Sequence, residues 1–320
     1  CRTLFENITE KRMYITGGVG STCRGESFTF DYDFPEYTAY NETCASIALA
    51  LFCRRLWLIE ADGRYADTAE RALYNTVLSG ISLSGDSFFY ENPLAVDPRR
   101  NAFNDSRPEG LKEHLPILER VKVFGCSCCP PNLVRTIGSI GDYLYSTAGN
   151  TIFAQCYMDA DTTLHLNGKT ITLQERTEYP CDGKISWTLK SEGNFTFAVR
   201  IPGWCDKAEL LVNGEKVPAA AEKGFVYLER DWKDGDRIEL ELEMKVKLWE
   251  GNLWQRFTGN PEIVDTCGRV AVTRGPLVYC AEGVDNDDTP LRDVRIDWDA
   301  AFELEKAEVA GREMPVLKSR

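Results

Sequence analysis

The sequence predicts a multidomain α and β protein: helical hairpins up to about residue 149, then an antiparallel β-sandwich region over 150–320. Three observations carry that expectation. Apolar residues recur at helical spacing through the first half, the period shifts to alternation after Thr151, and Asn-Gly and Asp-Gly turns punctuate the second half at fairly even intervals. At 320 residues and 43% hydrophobic content, the chain has room for two domains with separate cores.

Leu4 to Lys11 reads as the tail of a helix already under way, and the chain opens on Cys1, so an amino-terminal part of a larger protein is expected to precede it. Next comes Tyr14-Ile15-Thr16-Gly17-Gly18-Val19-Gly20-Ser21, then Arg24-Gly25-Glu26. This loop lacks the Lys-Ser/Thr of a P-loop, and no strand-to-helix unit with a ribose-binding acid frames it, which argues against nucleotide binding. Its glycines instead let the backbone pass close to a ligand, with Glu26 displayed on the rim. Over residues 28–40, Phe28, Phe30, Tyr32, Phe34, Tyr37 and Tyr40 interleave with Asp31, Asp33 and Glu36. That pattern suits either a sugar-binding cleft or the packed underside of a loop.

Asn41-Glu42-Thr43-Cys44 leads into a helix through Ile47, Leu49, Leu51, Phe52, Leu56, Trp57 and Ile59 that is apolar nearly all round and therefore predicted to be buried. A carboxylate two residues from a thiol is costly at such a helix start unless something pairs with it, and a cation removes the cost. Asp62-Gly63 breaks the chain; Tyr65, Ala69, Leu73, Tyr74, Val77 and Leu78 then continue at helical spacing to Gly80, completing an antiparallel hairpin. Residues 85–101 read as an extended excursion. Val123-Phe124 deliver Gly125-Cys126-Ser127-Cys128-Cys129-Pro130-Pro131-Asn132, after which Leu133, Ile137, Ile140, Tyr143 and Leu144 carry a helix to Gly149. The prolines suit a first helical turn, whose N–H groups lack intrahelical partners. There the positive end of the helix dipole favours thiolate and lowers a cysteine pKa otherwise near ~8.5.

Strands are expected at 163–169, 195–201, 209–214, 224–228, 237–244, 270–279 and 294–298, with room for a break between two sandwiches near 250–262. Residues 301–320 have no clear pattern. The net charge of −13, without any Lys/Arg block, argues against nucleic acid and suits a neutral or cationic small substrate. No apolar run is long enough for a membrane span, and the amino end does not read as a signal peptide. Twelve cysteines in a chain neither short nor loop-rich, clustered beside acidic residues in the first half, point to a metal site in a reducing, cytoplasmic setting. The sequons at Asn7, Asn41, Asn104 and Asn194 are short enough to arise by chance.

Glu42, Cys44, Cys128 and Cys129 together supply enough soft and carboxylate ligands for four-coordinate zinc, although their spacing matches no short zinc signature. A non-catalytic carbohydrate-binding or scaffold fragment with a structural zinc is a second reading. A redox protein using Cys126 and Cys129 as a Cys-x-x-Cys pair is a third, but it lacks the βαβ context of that motif.

The glycine-rich stretch with Gly25-Glu26, Tyr40-Asn41-Glu42-Thr43-Cys44, Cys128-Cys129-Pro130-Pro131-Asn132 and Ile201-Pro202-Gly203-Trp204 occur in an order that resembles the zinc-dependent β-L-arabinofuranosidases of glycoside hydrolase family 127. The resemblance implies an (α/α)6 barrel followed by β-sandwich domains, with residues 1–149 the C-terminal part of the barrel. Those residues supply only about a third of the helices a closed barrel requires. It further implies a retaining glycosidase with Cys128 as nucleophile, Glu26 as general acid/base, and Glu42, Cys44, Cys128 and Cys129 as zinc ligands. The implied partner is an oligosaccharide or glycoside, and the sandwich tail is a common homodimer surface. Of the two histidines, His165 falls in the β region and reads as structural, whereas His114 lies in a loop.

Overall fold

A computed structural model describes residues 1–251, 268–286, 290–309 and 311–319. Five α-helices occur among them: α1 (Arg2–Lys11), α2 (Thr43–Trp57), α3 (Gly63–Ala72), α4 (Pro98–Asp105) and α5 (Cys129–Gly138). They fall short of the ring that a complete (α/α)6 barrel requires. None of them is long and apolar enough to cross a membrane.

Asp62 caps α3 by accepting a hydrogen bond from the Arg64 N–H at 3.0 Å. Helices α2 and α3 form the expected hairpin, and Ile47, Ala50, Cys53, Trp57, Tyr65 and Ala69 share a core with Phe5 of α1 and Leu133 of α5. Three expectations need correction. Helix α2 is not buried all round, since Leu51 is exposed, and it ends at Trp57, so Leu58 and Ile59 lie beyond it, Ile59 79% exposed. The excursion at 85–101 contains the start of α4, because Asp97 caps it from the N-cap position and Pro98 sits at its first turn. The helix after Cys129 stops at Gly138, where two nearby glycines weaken continuation, and a short 3-10 turn (Ile140–Tyr143) follows.

Beyond Leu144 the chain is β-rich. The strands are β1 (Tyr145–Ala148), β2 (Thr151–Ala154), β3 (Ala160–Leu166), β4 (Lys169–Thr177), β5 (Lys184–Leu189), β6 (Gly193–Arg200), β7 (Ala208–Val212), β8 (Glu215–Val217), β9 (Phe225–Trp232), β10 (Arg237–Leu242), β11 (Val246–Glu250), β12 (Val270–Arg274), β13 (Leu277–Tyr279), β14 (Phe302–Val309) and β15 (Arg312–Ser319). Strands β1-β2-β6-β9 form one sheet and β3-β4-β5-β10-β7-β8 a second. Their alternating apolar residues make a single core around Trp187, Phe197, Trp232 and Ile238. Asn167-Gly168 and Asn213-Gly214 all have positive φ, the conformation that tight hairpins such as β3-β4 and β7-β8 need.

The sandwich is not wholly antiparallel. Strands β2 and β6 pair in parallel, Thr151 opposite Thr196, because the chain visits the other sheet between them and returns by a crossover. Strands β11-β12-β13 form a third sheet, and residues 301–320 hold the β14-β15 hairpin. Residues 294–298, expected as a strand, are irregular: among the described residues no strand pairs with them, and Trp298 is 61% exposed. The expected break near 250–262 lies, from 252 onward, outside the described residues, as does Cys267.

Helix α3 is seated on the sandwich by a buried ionic cluster. Arg200, at the end of β6 and wholly buried, pairs with Asp67 and Glu70 of α3. Tyr179 O–H donates to Glu70 at 2.6 Å, Gly203 N–H to Asp67 at 3.0 Å, and Trp204 Nε1–H to Glu70 at 3.3 Å. The Ile201-Pro202-Gly203-Trp204 motif is thus the seat of α3. A Cβ on Gly203 would come within 2.8 Å of the Asp67 carboxylate, so this close approach requires glycine.

Candidate active site

Glu42 occupies the N-cap of α2, Cys44 lies in its first turn, and Cys128-Cys129 start α5. Packing of α2 against α5 brings the two helix starts together. The four ligand atoms of Glu42, Cys44, Cys128 and Cys129 all lie within 4.8 Å of one another. Both Cys128 Sγ and Cys129 Sγ are 3.5 Å from Glu42 Oε1 and 3.7 Å from each other. Tetrahedral zinc, with Zn–S of about 2.3 Å and Zn–O near 2.1 Å, sets its donors about 3.5 to 3.8 Å apart, so the donor set fits the ion.

Electrostatics make the same demand. Among the described residues no Lys or Arg forms an ion pair with Glu42, although Glu42 and Cys129 are buried. Burial pushes the Cys44 thiol up to about 11 and raises Cys129 as well, with Cys44 adding to the latter effect. Four convergent anionic donors without a cationic side chain need an external positive charge to ionise together.

Glu26 is exposed at a left-handed position, φ +49°, on a tip closed by hydrogen bonds between Thr22 and Ser27 and between Cys23 and Glu26. Its carboxylate accepts a hydrogen bond from Tyr40 O–H at 2.8 Å and a longer one from Tyr90 O–H at 3.5 Å. The Tyr90 hydroxyl also reaches Cys128 and Tyr40; burial first, and then those two contacts, push its pKa upward. Tyr90 therefore stands between the acid and the thiol. The sequence offered a weak signal for it, the run Phe88-Phe89-Tyr90-Glu91-Asn92, but nothing in that run shows that it lies along residues 41–43. Asn92 fixes this placement, its Nδ2–H donating to Asn41 O and Thr43 Oγ1, both at 3.0 Å.

His114 also arrives here. Its Nε2 is 2.7 Å from Glu91 Oε1, an interaction that raises its pKa, and its ring lies 6.5 Å from that of Tyr40. The aromatic stretch at 28–40 divides between the two readings open to it: Tyr40 is buried at the site and Phe34 packs on Tyr14, while Phe28 and Phe30 are exposed. Cys126 is exposed, whereas Cys129 is buried in the cluster with Glu42, Cys44 and Cys128.

Residues 1–142 match the β-L-arabinofuranosidase GH127 catalytic domain, 151–244 the GH127 middle domain, and 254–310 the glycoside hydrolase family 127 C-terminal domain. The chain belongs to glycoside hydrolase family 127. Among family relatives, the non-reducing end β-L-arabinofuranosidase of Bifidobacterium longum subsp. longum is 38% identical over 296 residues, covering 89% of this chain and 42% of that protein. The crystal structure of a GH127 β-L-arabinofuranosidase from Geobacillus stearothermophilus T6 superposes with a TM-score of 0.88 at 42% identity, covering 100% of this chain and 48% of that one. A further GH127 β-arabinofuranosidase structure gives 0.83 at 30% identity, with 98% and 48% covered. The chain thus spans less than half the length of each of these family 127 relatives.

Proposed function

We propose that this chain carries the reacting residues of a retaining glycosidase that releases β-L-arabinofuranose, or a related sugar, from an oligosaccharide or glycoside. In this reading residues 1–149 form part of an (α/α)6 barrel and residues 150–320 its β-sandwich region. The observation that carries it is the convergence of Glu42, Cys44, Cys128 and Cys129 next to a carboxylic acid held by Tyr40 and Tyr90. The fit of the donor set supports zinc, held by those four residues, and the relatives' printed activity supports the sugar. The cysteines clustered beside acidic residues in the first half support a reducing, cytoplasmic setting.

Bound zinc supplies the positive charge that keeps Cys128 ionised, within a shell of four anionic ligands whose net charge leaves the sulfur electron-rich. Cys128 Sγ then attacks the anomeric carbon from one face of the sugar. Glu26, protonated at first and oriented by Tyr40, gives its proton to the leaving oxygen as the C–O bond breaks. A thioglycosyl enzyme results. The same Glu26, now ionised, takes a proton from water as water attacks the anomeric carbon and expels the Cys128 sulfur, so two inversions give net retention.

The test uses the full-length protein, its zinc content and its hydrolysis of nitrophenyl furanosides. Cys128→Ser is expected to lower kcat by at least about 10⁴-fold, as loss of a nucleophile does. Undiminished turnover would overturn the assignment, and stoichiometric zinc without any glycosidase activity in the parent would leave a structural site instead.

A further inference from the structure

Between α3 and Gly80 the helix widens into one π-helical turn, Leu73–Val77. Such turns are rare and occur frequently at functional sites. Two adjacent residues of this one grip different parts of the molecule. Asn75, buried, donates from Nδ2 to Pro276 O at 3.0 Å and to Arg71 O at 2.8 Å, while its Oδ1 accepts from the Val278 N–H at 2.8 Å. It therefore binds the start of β13 as a strand would. Thr76 donates from Oγ1 to Thr16 O at 2.9 Å, at the root of the glycine-rich loop.

The first part of that loop, from Thr16 to Gly20, is fastened closely. Gly17, at φ +77°, packs so closely that a Cβ would come within 2.6 Å of the Ala72 backbone, and one on Gly18 would meet the Asn41 side chain at 2.8 Å. Asn41 N–H donates to Gly20 O at 2.8 Å, and Asn41 immediately precedes Glu42. From Gly20 the chain runs on to the tip that presents Glu26. The three glycines thus seat the loop between the π turn and the strand of chain leading into the thiol cluster.

We propose that the π turn is a positioning device. Asn75 anchors it to the C-terminal sheet β11-β12-β13, and Thr76 passes that anchorage to the loop that aims Glu26, so the orientation of the acid depends on a sheet outside the thiol cluster. This rests on the reading of Glu26 as the acid/base given above. Neither Asn75 nor Thr76 touches the reacting atoms; both act through the loop.

A misaimed Glu26 slows both the protonation of the leaving group and the later deprotonation of water, but kcat/KM reports only the steps through departure of the leaving group, so its dependence on the leaving group separates aiming from general damage. In the full-length protein, Thr76→Val and Asn75→Leu are compared with wild type on an alkyl β-L-arabinofuranoside, a poor leaving group, and on a dinitrophenyl one, which needs no proton. We expect kcat/KM on the alkyl glycoside to fall about 10- to 100-fold, less than the 10²- to 10⁴-fold a lost general acid costs, with less than about threefold change in kcat/KM on the dinitrophenyl glycoside. Zinc content should stay unchanged, and Thr76→Ser, which keeps the hydroxyl, should restore wild-type rates. Equal loss on both substrates, or none on either, would overturn the inference. Glu26→Gln is the control: if it shows no leaving-group dependence, the acid/base reading falls and takes the inference with it, whereas dependence in Glu26→Gln alone sinks only the positioning role. Should Asn75→Leu fail to fold, the near-isosteric Thr76→Val decides the matter.

Discussion

Asp67 and Glu70, where α3 meets the sandwich, lie against Arg200, a cation that the chain supplies itself. Glu42, where α2 meets α5, lies against three thiols and has no such partner among the described residues. Both clusters take acidic groups out of water, at a cost that must be offset locally. The first is closed: guanidinium, tyrosine hydroxyl, indole and backbone donors occupy its carboxylates, and nothing is left to react. The second is open, with thiols raised by burial and a half-exposed Cys128. One arrangement ties two domains together, and the other asks for a metal.

The largest effect that would sharpen the contrast is removal of a proposed ligand. Cys129→Ala is expected to lower metal affinity by more than the 10- to 100-fold typical of residues behind the ligands, measured by competition with a chromogenic chelator. It should leave the α3 junction intact. Arg200→Leu acts on the opposite side of the comparison: two carboxylates lose the guanidinium they pair with, and urea unfolding should report a loss of about 3 to 5 kcal/mol, with metal stoichiometry unchanged in the folded fraction. Equal effects of both variants on metal content would break the distinction.

Glu175 shows a third way to bury an acid. It lies wholly inside the sandwich, and burial raises its pKa from 4.5 to about 7, against hydrogen bonds from Tyr145 O–H and the Met158 N–H that lower it. Protonation takes the part that Arg200 takes at the α3 junction and that the proposed metal would take at the thiol cluster. Between about pH 4.5 and 7 the folded protein holds a proton that the unfolded chain has released, so Glu175 makes stability fall as pH rises through that window. Glu175→Gln should abolish that contribution, on the order of 3 kcal/mol across the window, in denaturant titrations at pH 5 and pH 7. A variant with the same pH slope as wild type would show that Glu175 is ionised in the fold.

The two clusters were not equally legible. Cys128-Cys129-Pro130-Pro131 announces itself because both chemistry and helix start are local, and Glu42 with Cys44 repeats the trick at α2. Joining the two sets needed only that an anionic helix start demands a counter-charge. Arg200 and its partners gave no such signal: Asp67 is 133 residues away and reads as an ordinary exposed helix acid. Tyr90 was hidden for a similar reason, since its place beside Glu26 depends on Asn92 pairing with residues 41–43. The helix-to-strand change was readable from periodicity, whereas the parallel β2-β6 pair depends on a crossover that no short pattern encodes. The exposed apolar side of α2 was misjudged because hydrophobicity all round a helix cannot say which neighbours are at hand.

The central claim is that the open cluster is a metal-held nucleophile. Its most direct test is to treat the full-length protein with an arabinofuranose-derived electrophilic inactivator and map the added mass by peptide mass spectrometry. The account predicts one adduct per protein, on Cys128, lost in Cys128→Ser and protected by substrate. An adduct on Glu26 or Glu42 with Cys128 unmodified, or on exposed Cys126 without substrate protection, would contradict it.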